Sequence, residues 1–181
     1  MKALTQTEFR KMVEVAPTLR DRCILLMGFQ HGMRVSEICQ LRRADIDMAA
    51  RTIIVRRLKH SLTTTQPLGA EEHEALSKWL SAAPNSVWCF PGRGKSHLTR
   101  RAVEYMFERV GEIAQIPQAK RHPHTLRHGL AYSMIQANVS LPIIQRALGH
   151  AAISSTAVYA IPSEETVGAA LLSVFPKKEG R

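Results

Sequence analysis

The sequence contains no apolar run approaching the ~20 residues that a membrane-spanning helix needs. Its first residues, Met1-Lys2-Ala3-Leu4-Thr5, hold no apolar signal core either. It has three cysteines, Cys23, Cys39 and Cys89, and no Cys-x-x-Cys pair. Odd in number, far apart and set in apolar surroundings, they read as reduced core thiols of a cytosolic protein. Internal repeats and low-complexity segments are absent. Acidic residues are scarce beside basic ones, 15 against 25, which leaves a net charge of +10. That excess points to a polyanionic partner, nucleic acid first. A generically basic protein, such as a ribosomal one, would show the same balance. What is present in quantity is hydrophobic: 45% of 181 residues, enough for one real core.

Taken in order, Thr5-Gln6-Thr7-Glu8 is a capping-box pattern that opens a helix to about Val15, stopped before Pro17. Leu19 to Gln30 is a second helix, apolar on most faces and therefore buried. Gly32 is placed to end it, and Ser36 or a neighbour to begin the next. Asp45 to Arg51 reads as a turn. The β-branched run Thr52 to Arg56 and the segment Leu62 to Leu68 read as the strands of a hairpin with a basic tip. Ala70 to Ala82 is an amphipathic helix, and Ser86 to Phe90 a short buried strand. Gly94-Lys95-Ser96 imitates the end of a phosphate-binding loop, but the required earlier glycine is Cys89. Thr99 caps a helix to about Ile113, a basic loop follows to His122, and further helices begin near Pro123 and Leu141, the second ending at Gly149. The expected fold is α+β, mostly helical with a small three-stranded antiparallel sheet. Tyr105 and Tyr132, within apolar helices, read as core.

The residues that carry chemistry are gathered late in the chain. Pro123-His124-Thr125-Leu126-Arg127-His128 places His124 and Arg127 on one face of a helix. His150 follows, and Tyr159 stands nine residues after it. Arginines that fork onto phosphate oxygens, a histidine that carries a proton and a tyrosine that attacks would make a site for a phosphodiester. Arg34, at the junction after the buried helix, suits an anion clamp; the alternative is a helix-end arginine that neutralises carbonyls. Lys59 at the hairpin tip suits a catalytic ammonium; the alternative is a solvated turn lysine. Glu37 would orient the site or simply sit at a helix start. His122, His124 and His128 are close together, but no cysteine or acidic ligand accompanies them at metal spacing, so no metal is expected.

The order of these groups resembles the tyrosine recombinases, or phage integrase family. Gly32-Met33-Arg34-Val35-Ser36-Glu37 looks like that family's first arginine box, His124-Thr125-Leu126-Arg127-His128 like its His-x-x-Arg box, and Leu148-Gly149-His150 with Tyr159 like its final box. Lys59 matches its hairpin lysine. The stretch Arg56-Arg57-Leu58-Lys59 and the run His122 to His128 look most like the small invertases that switch fimbrial expression.

The resemblance implies a site-specific recombinase that cuts and rejoins DNA through a 3′-phosphotyrosyl link to Tyr159, in integration, excision or inversion. Arg34 and Arg127 would hold the non-bridging oxygens, His124 would manage the nucleophile's proton or bond the phosphate, Lys59 would protonate the leaving 5′-oxygen, and His150 would add a hydrogen bond. Arg56, Arg57, His60, Arg100, Arg101, Lys120 and Arg121 would contact DNA. Neither ATP nor a metal is implied, and no cofactor. The partners would be double-stranded DNA, a homo-oligomer on it (a tetrameric synapse) and accessory DNA-bending proteins, in the bacterial cytoplasm at the nucleoid. Two readings remain beside this one: a non-catalytic DNA-binding regulator that keeps the fold, and type IB topoisomerase-like relaxation. The family's hairpin often has glycines around its lysine, where this one reads Arg57-Leu58-Lys59-His60. Most members also carry an N-terminal helical domain, so residues 1–181 are expected to be a single catalytic domain. Its last segment, 163–181, an apolar helix from Ser163 to Val174 and a charged tail, would fold back or pack in a neighbouring protomer.

Overall fold

The computed structural model describes residues 3–57, 62–94, 96–149 and 167. Lys59, His60, Lys95, His150, Tyr159 and the expected closing helix lie outside the described residues. The described chain runs α1 (Gln6–Val15), α2 (Leu19–Gln30), α3 (Val35–Cys39), β1 (Ile46–Asp47), β2 (Thr52–Val55), β3 (Thr64–Pro67), α4 (Ala70–Ala82), α5 (Arg100–Ile113), α6 (His124–Gln136) and α7 (Leu141–Leu148). It is a mostly helical arrangement with one small antiparallel sheet.

The organising element is α2. Cys23 through Phe29 are all buried, and each leucine or isoleucine removed from water in this way contributes roughly 1.5–3 kcal/mol. The helix packs against α1, α3, α4 and α6, so from Cys23 to Phe29 none of its faces is left for solvent. It is capped by the Thr18 hydroxyl, which accepts from the Asp21 N–H. α1 begins with the expected capping box: the Glu8 N–H donates to Thr5 Oγ1 and the Thr5 N–H to Glu8 Oε2. Ala131, Ile144 and Leu148 form a second, smaller apolar cluster between α6 and α7. The three cysteines are buried thiols, and burial pushes Cys23 up to about 12 and Cys39 up to about 11. Neither is a nucleophile at neutral pH.

The sheet has the order β1-β2-β3, with Ile53 opposite Ile46 and Gln66 in its two pairings. Its third strand is Ile46–Asp47, inside the segment read from sequence as a turn, and not Ser86 to Phe90. That segment instead runs beside residues 41–43, with an isolated bridge between Arg42 and Trp88 and a hydrogen bond from the Cys89 N–H to Leu41 O. Two-residue strands carry too little pattern to be read from sequence. Tyr105, expected in the core, is 65% exposed on α5; the buried face of that helix is Val103, Met106, Phe107 and Val110. No helix among the described residues is long and apolar enough to cross a membrane.

Candidate DNA-cleaving site

Gly32 is the point on which the site converges. It follows the last turn of α2 with φ of +55°, in the left-handed region that glycine enters without steric cost. Its surroundings also require glycine: a Cβ here would lie 2.6 Å from Leu148 Cδ2 and 3.1 Å from Leu130 Cδ2. The backbone therefore runs tight against α6 and α7, and the Gly32 carbonyl becomes an acceptor for two arginines. Arg127 Nη1 donates to it at 2.7 Å and Arg57 Nη1 at 3.2 Å. Arg127 also donates through Nη2 to Leu148 O at 2.8 Å, so the His-x-x-Arg helix is fastened to the C-terminal end of α7.

Arg34 stands at the N-cap of α3. Its Nη1 donates to Glu37 Oε1 at 2.8 Å, while its backbone N–H donates to Glu37 Oε2 at 2.9 Å. Glu37 thus serves as the backward-reaching member of a capping box and as the side-chain anchor of Arg34. Burial disfavours its ionised form, but the Arg34 N–H, the Arg57 charge and the guanidinium hydrogen bonds outweigh this and hold its pKa below the ordinary carboxylate value. The Arg34 side chain keeps 31% of its surface exposed against 0% for Glu37, so the cation reaches outward from a buried anion.

His124 begins α6. Desolvation, followed by the positive charges of His122, Arg127, Arg34 and Arg100, holds its pKa below the usual imidazole value. The same causes name its neighbours: Arg34, Arg100 and Arg127 are all within electrostatic reach of one histidine. His128 is lowered in the same way by desolvation, His124, His122 and Arg127. The structure thus brings together three of the residues singled out from sequence, Arg34, His124 and Arg127, with Glu37 behind them. A cluster of cations beside a histidine whose pKa is held low suits an anionic phosphodiester.

The expected DNA contacts divide. Arg100 and Arg101 are exposed at the start of α5, beside the electrostatic field just described. Arg56 is exposed and tied by Nε to the buried Asp45 at 2.8 Å. Arg57 is a correction: it is not part of a solvated tip, because its side chain is fully buried and donates to Glu37, Gly32 O, His31 O and Ala147 O. The signal was in the sequence. Strand residues alternate faces, and Ile53 and Val55 point inward, so the same parity carries Arg57 inward and Arg56 outward. Lys120 and Arg121 are also turned to the protein, Lys120 onto both oxygens of Glu8 at 2.8 Å and Arg121 onto Ile116 O at 2.7 Å. The basic loop thereby fastens α6 to α1 and α5.

A buried relay beneath the hairpin was not foreseen. His31 Nδ1 lies 2.8 Å from Gln66 Oε1 and Nε2 lies 3.0 Å from the Glu72 carboxylate, while Gln66 Nε2 donates to Ala147 O at 2.9 Å. Side chains from β3 and the end of α2 thus meet the last turn of α7. A lone histidine next to a glycine gives no sequence sign of such partners.

The model of the phage integrase family matches residues 2–165. The type 1 fimbriae regulatory protein FimB of Escherichia coli (strain K12) is 35% identical over 165 residues, covering 86% of this chain and 82% of FimB. The tyrosine recombinase XerA of Pyrococcus furiosus is 34% identical over 164 residues, covering 87% of this chain and 56% of the relative. Among solved structures, that of XerA recombinase superposes with a TM-score of 0.78 at 26% identity, over 97% of this chain and 64% of the other. XerH recombinase bound to its difH substrate in a pre-cleavage complex has the same fold, with a TM-score of 0.81 at 24% identity over 94% of this chain and 54% of the other.

Proposed function

Because the chain belongs to the phage integrase family, we propose that it is a site-specific recombinase that breaks and rejoins double-stranded DNA through Tyr159. The observation that carries the reading is the convergence of Arg34, Arg127 and His124 in front of one buried carboxylate, Glu37. In the reaction, the Tyr159 oxygen forms a bond to phosphorus as the bond from phosphorus to the 5′-oxygen breaks. The phenol has an ordinary pKa of about 10, so its proton must be drawn off. His124, whose pKa is lowered by desolvation and then by its cationic neighbours, is the base within the site. Lys59 delivers a proton to the departing 5′-oxygen, so no charge accumulates on either side. Arg34 and Arg127 stabilise the charge that develops on the two non-bridging oxygens, and fixed cations do this without reorganisation. His150 donates one further hydrogen bond to the phosphate. The phosphotyrosyl ester conserves the energy of the broken bond, so attack by a second 5′-hydroxyl reseals DNA without ATP or a metal. Exchange of strands requires two duplexes, hence a homo-oligomeric assembly on DNA, and Arg56, Arg100 and Arg101 supply exposed cations for the backbone.

The test is a nicked suicide duplex. Its sequence would come from fragments of the source organism's DNA that the protein binds and retains under denaturing conditions. A covalent protein–DNA band that disappears in Tyr159→Phe is the expected result. DNA bound by the folded protein with no covalent band would refute the enzyme reading in favour of a regulator. Relaxation of supercoils by single duplexes with no exchange between sites would redirect it to topoisomerase chemistry.

A further inference from the structure

Arg57 carries a positive charge on a side chain that is fully buried. Its two terminal nitrogens donate to four acceptors: Glu37 Oε2 at 2.9 Å, Gly32 O at 3.2 Å, His31 O at 2.8 Å and Ala147 O at 2.7 Å. The remaining nitrogen, Nε, is buried with no hydrogen-bond partner among the described residues. These acceptors belong to three separate pieces of the fold: the end of α2, the start of α3 and the last turn of α7. Arg57 itself follows β2, two residues before Lys59. The fit extends to its aliphatic stem. Gly149, in the left-handed region at φ of +68°, ends α7 against it, and a Cβ there would lie 2.7 Å from Arg57 Cγ.

Stability alone does not account for this arrangement. Taking a guanidinium and a carboxylate out of water is costly, and an apolar pair of similar volume usually stabilises a core at least as well. What an apolar pair cannot do is fix geometry. A guanidinium is a planar fork with five N–H groups, whereas a lysine ammonium offers three donors around a point charge. Only the fork can hold a carboxylate and three carbonyls from different elements at once.

We propose that Arg57 is a positioning residue for DNA cleavage, clasping Glu37 and the α7 terminus so that Glu37 in turn sets the Arg34 guanidinium against the scissile phosphate. This rests on the recombinase reading above. Arg57 acts on Arg34 through one shared anion: Glu37 Oε1 holds Arg34 Nη1 while Glu37 Oε2 holds Arg57 Nη1. The step it governs is the orientation of a cation, which affects the transition state more than the binding of DNA.

The experiment measures covalent adduct formation on the captured nicked duplex, with saturating rate and half-saturating DNA concentration determined separately. Arg57→Lys is expected to lower the saturating rate by roughly 100-fold and to move half-saturation by less than about 3-fold. In a Glu37→Gln background the same Arg57→Lys change should cost less than about 3-fold more, because its route to Arg34 is already broken. A purely structural residue would give independent, multiplying losses. Arg57→Met/Glu37→Gln removes both buried charges together and serves as the folded comparison should Arg57→Lys alone fail to fold. A wild-type rate in Arg57→Lys, multiplying losses in the double variant, or loss of affinity with an unchanged saturating rate would each overturn the proposal. Those results would leave the recombinase reading standing, whereas absence of any adduct with the wild-type protein would remove both.

Discussion

Replacing Gly32 with alanine strains the junction in two ways that can be measured separately. The first is conformational. Gly32 has φ of +55°, and an L-residue held there costs about 1–2 kcal/mol. The second is steric. The new Cβ would lie 2.6 Å from Leu148 Cδ2 and 3.1 Å from Leu130 Cδ2, and overfilling a packed site costs about 1–3 kcal/mol. Together they amount to about 2–5 kcal/mol. At roughly 2–4 °C per kcal/mol for a chain this long, Tm should fall by on the order of 10 °C. Gly94 supplies the control. Its φ is +62°, but nothing among the described residues lies within 4 Å of a Cβ built on it, so Gly94→Ala carries the conformational part alone and should lower Tm by only about 4 °C. The assay is a pair of thermal melts followed by circular dichroism, with adduct formation measured well below both midpoints. Activity should fall further in Gly32→Ala than stability explains, because Leu148 carries a carbonyl that holds Arg127. Melting points for the two variants within about 2 °C of each other would show that the contact at Leu148 is relieved without cost, and the reasoning would fail.

Glu72 is fully buried against His31, and Glu72→Ala should cost about 1–3 kcal/mol by leaving a buried ring nitrogen without its partner, read as a drop in the urea midpoint; a loss under about 0.5 kcal/mol would contradict that. His124 and His128 have folded-state pKa values held below the ordinary imidazole value, chiefly by desolvation and then by cationic neighbours. The unfolded chain therefore binds their protons more readily. Stability should rise with pH from below the depressed values up to about 6.5 and decline as acid is added through that window. His124→Gln/His128→Gln should flatten the slope, and an unchanged slope would assign it to other groups. Arg100→Ala and Arg101→Ala should each reduce the salt dependence of DNA binding by about one unit of slope. Lys120→Ala should not, since its ammonium is held by Glu8; an equal reduction there would put the basic loop on DNA after all.

Helices were legible because their punctuation is chemical. Thr5 with Glu8, and Thr99, accept backbone N–H groups where their side chains suggested they would. Gly149 ends α7 in the left-handed conformation that its position called for. The sheet was half legible: the β-branched run of β2 gave itself away, while Ile46–Asp47 was hidden by its brevity and Ser86 to Phe90 took its place through composition alone. In the site, the proximity of Arg34 to Arg127 followed from matching boxes, not from any local pattern. What could not be seen was the inward turn of basic side chains. Arg57, Lys120 and Arg121 look in sequence like solvated charge, and only the positions of Glu37, Glu8 and Ile116 in space reveal their partners. Arg57 alone had a readable cue, the alternation of the strand before it.

The end of α2 also bears on how this protein fails. The carbonyls of His31 and Gly32 follow its last turn, where backbone acceptors lack helical partners and the helix dipole is negative. Arg57 and Arg127 dock there. Both arginines are therefore wired to the most deeply buried helix rather than to a loop that could open by itself. Local fraying would have to dissolve the core before it released them, so amide exchange near Gly32 and heat inactivation should follow the global unfolding transition and not precede it.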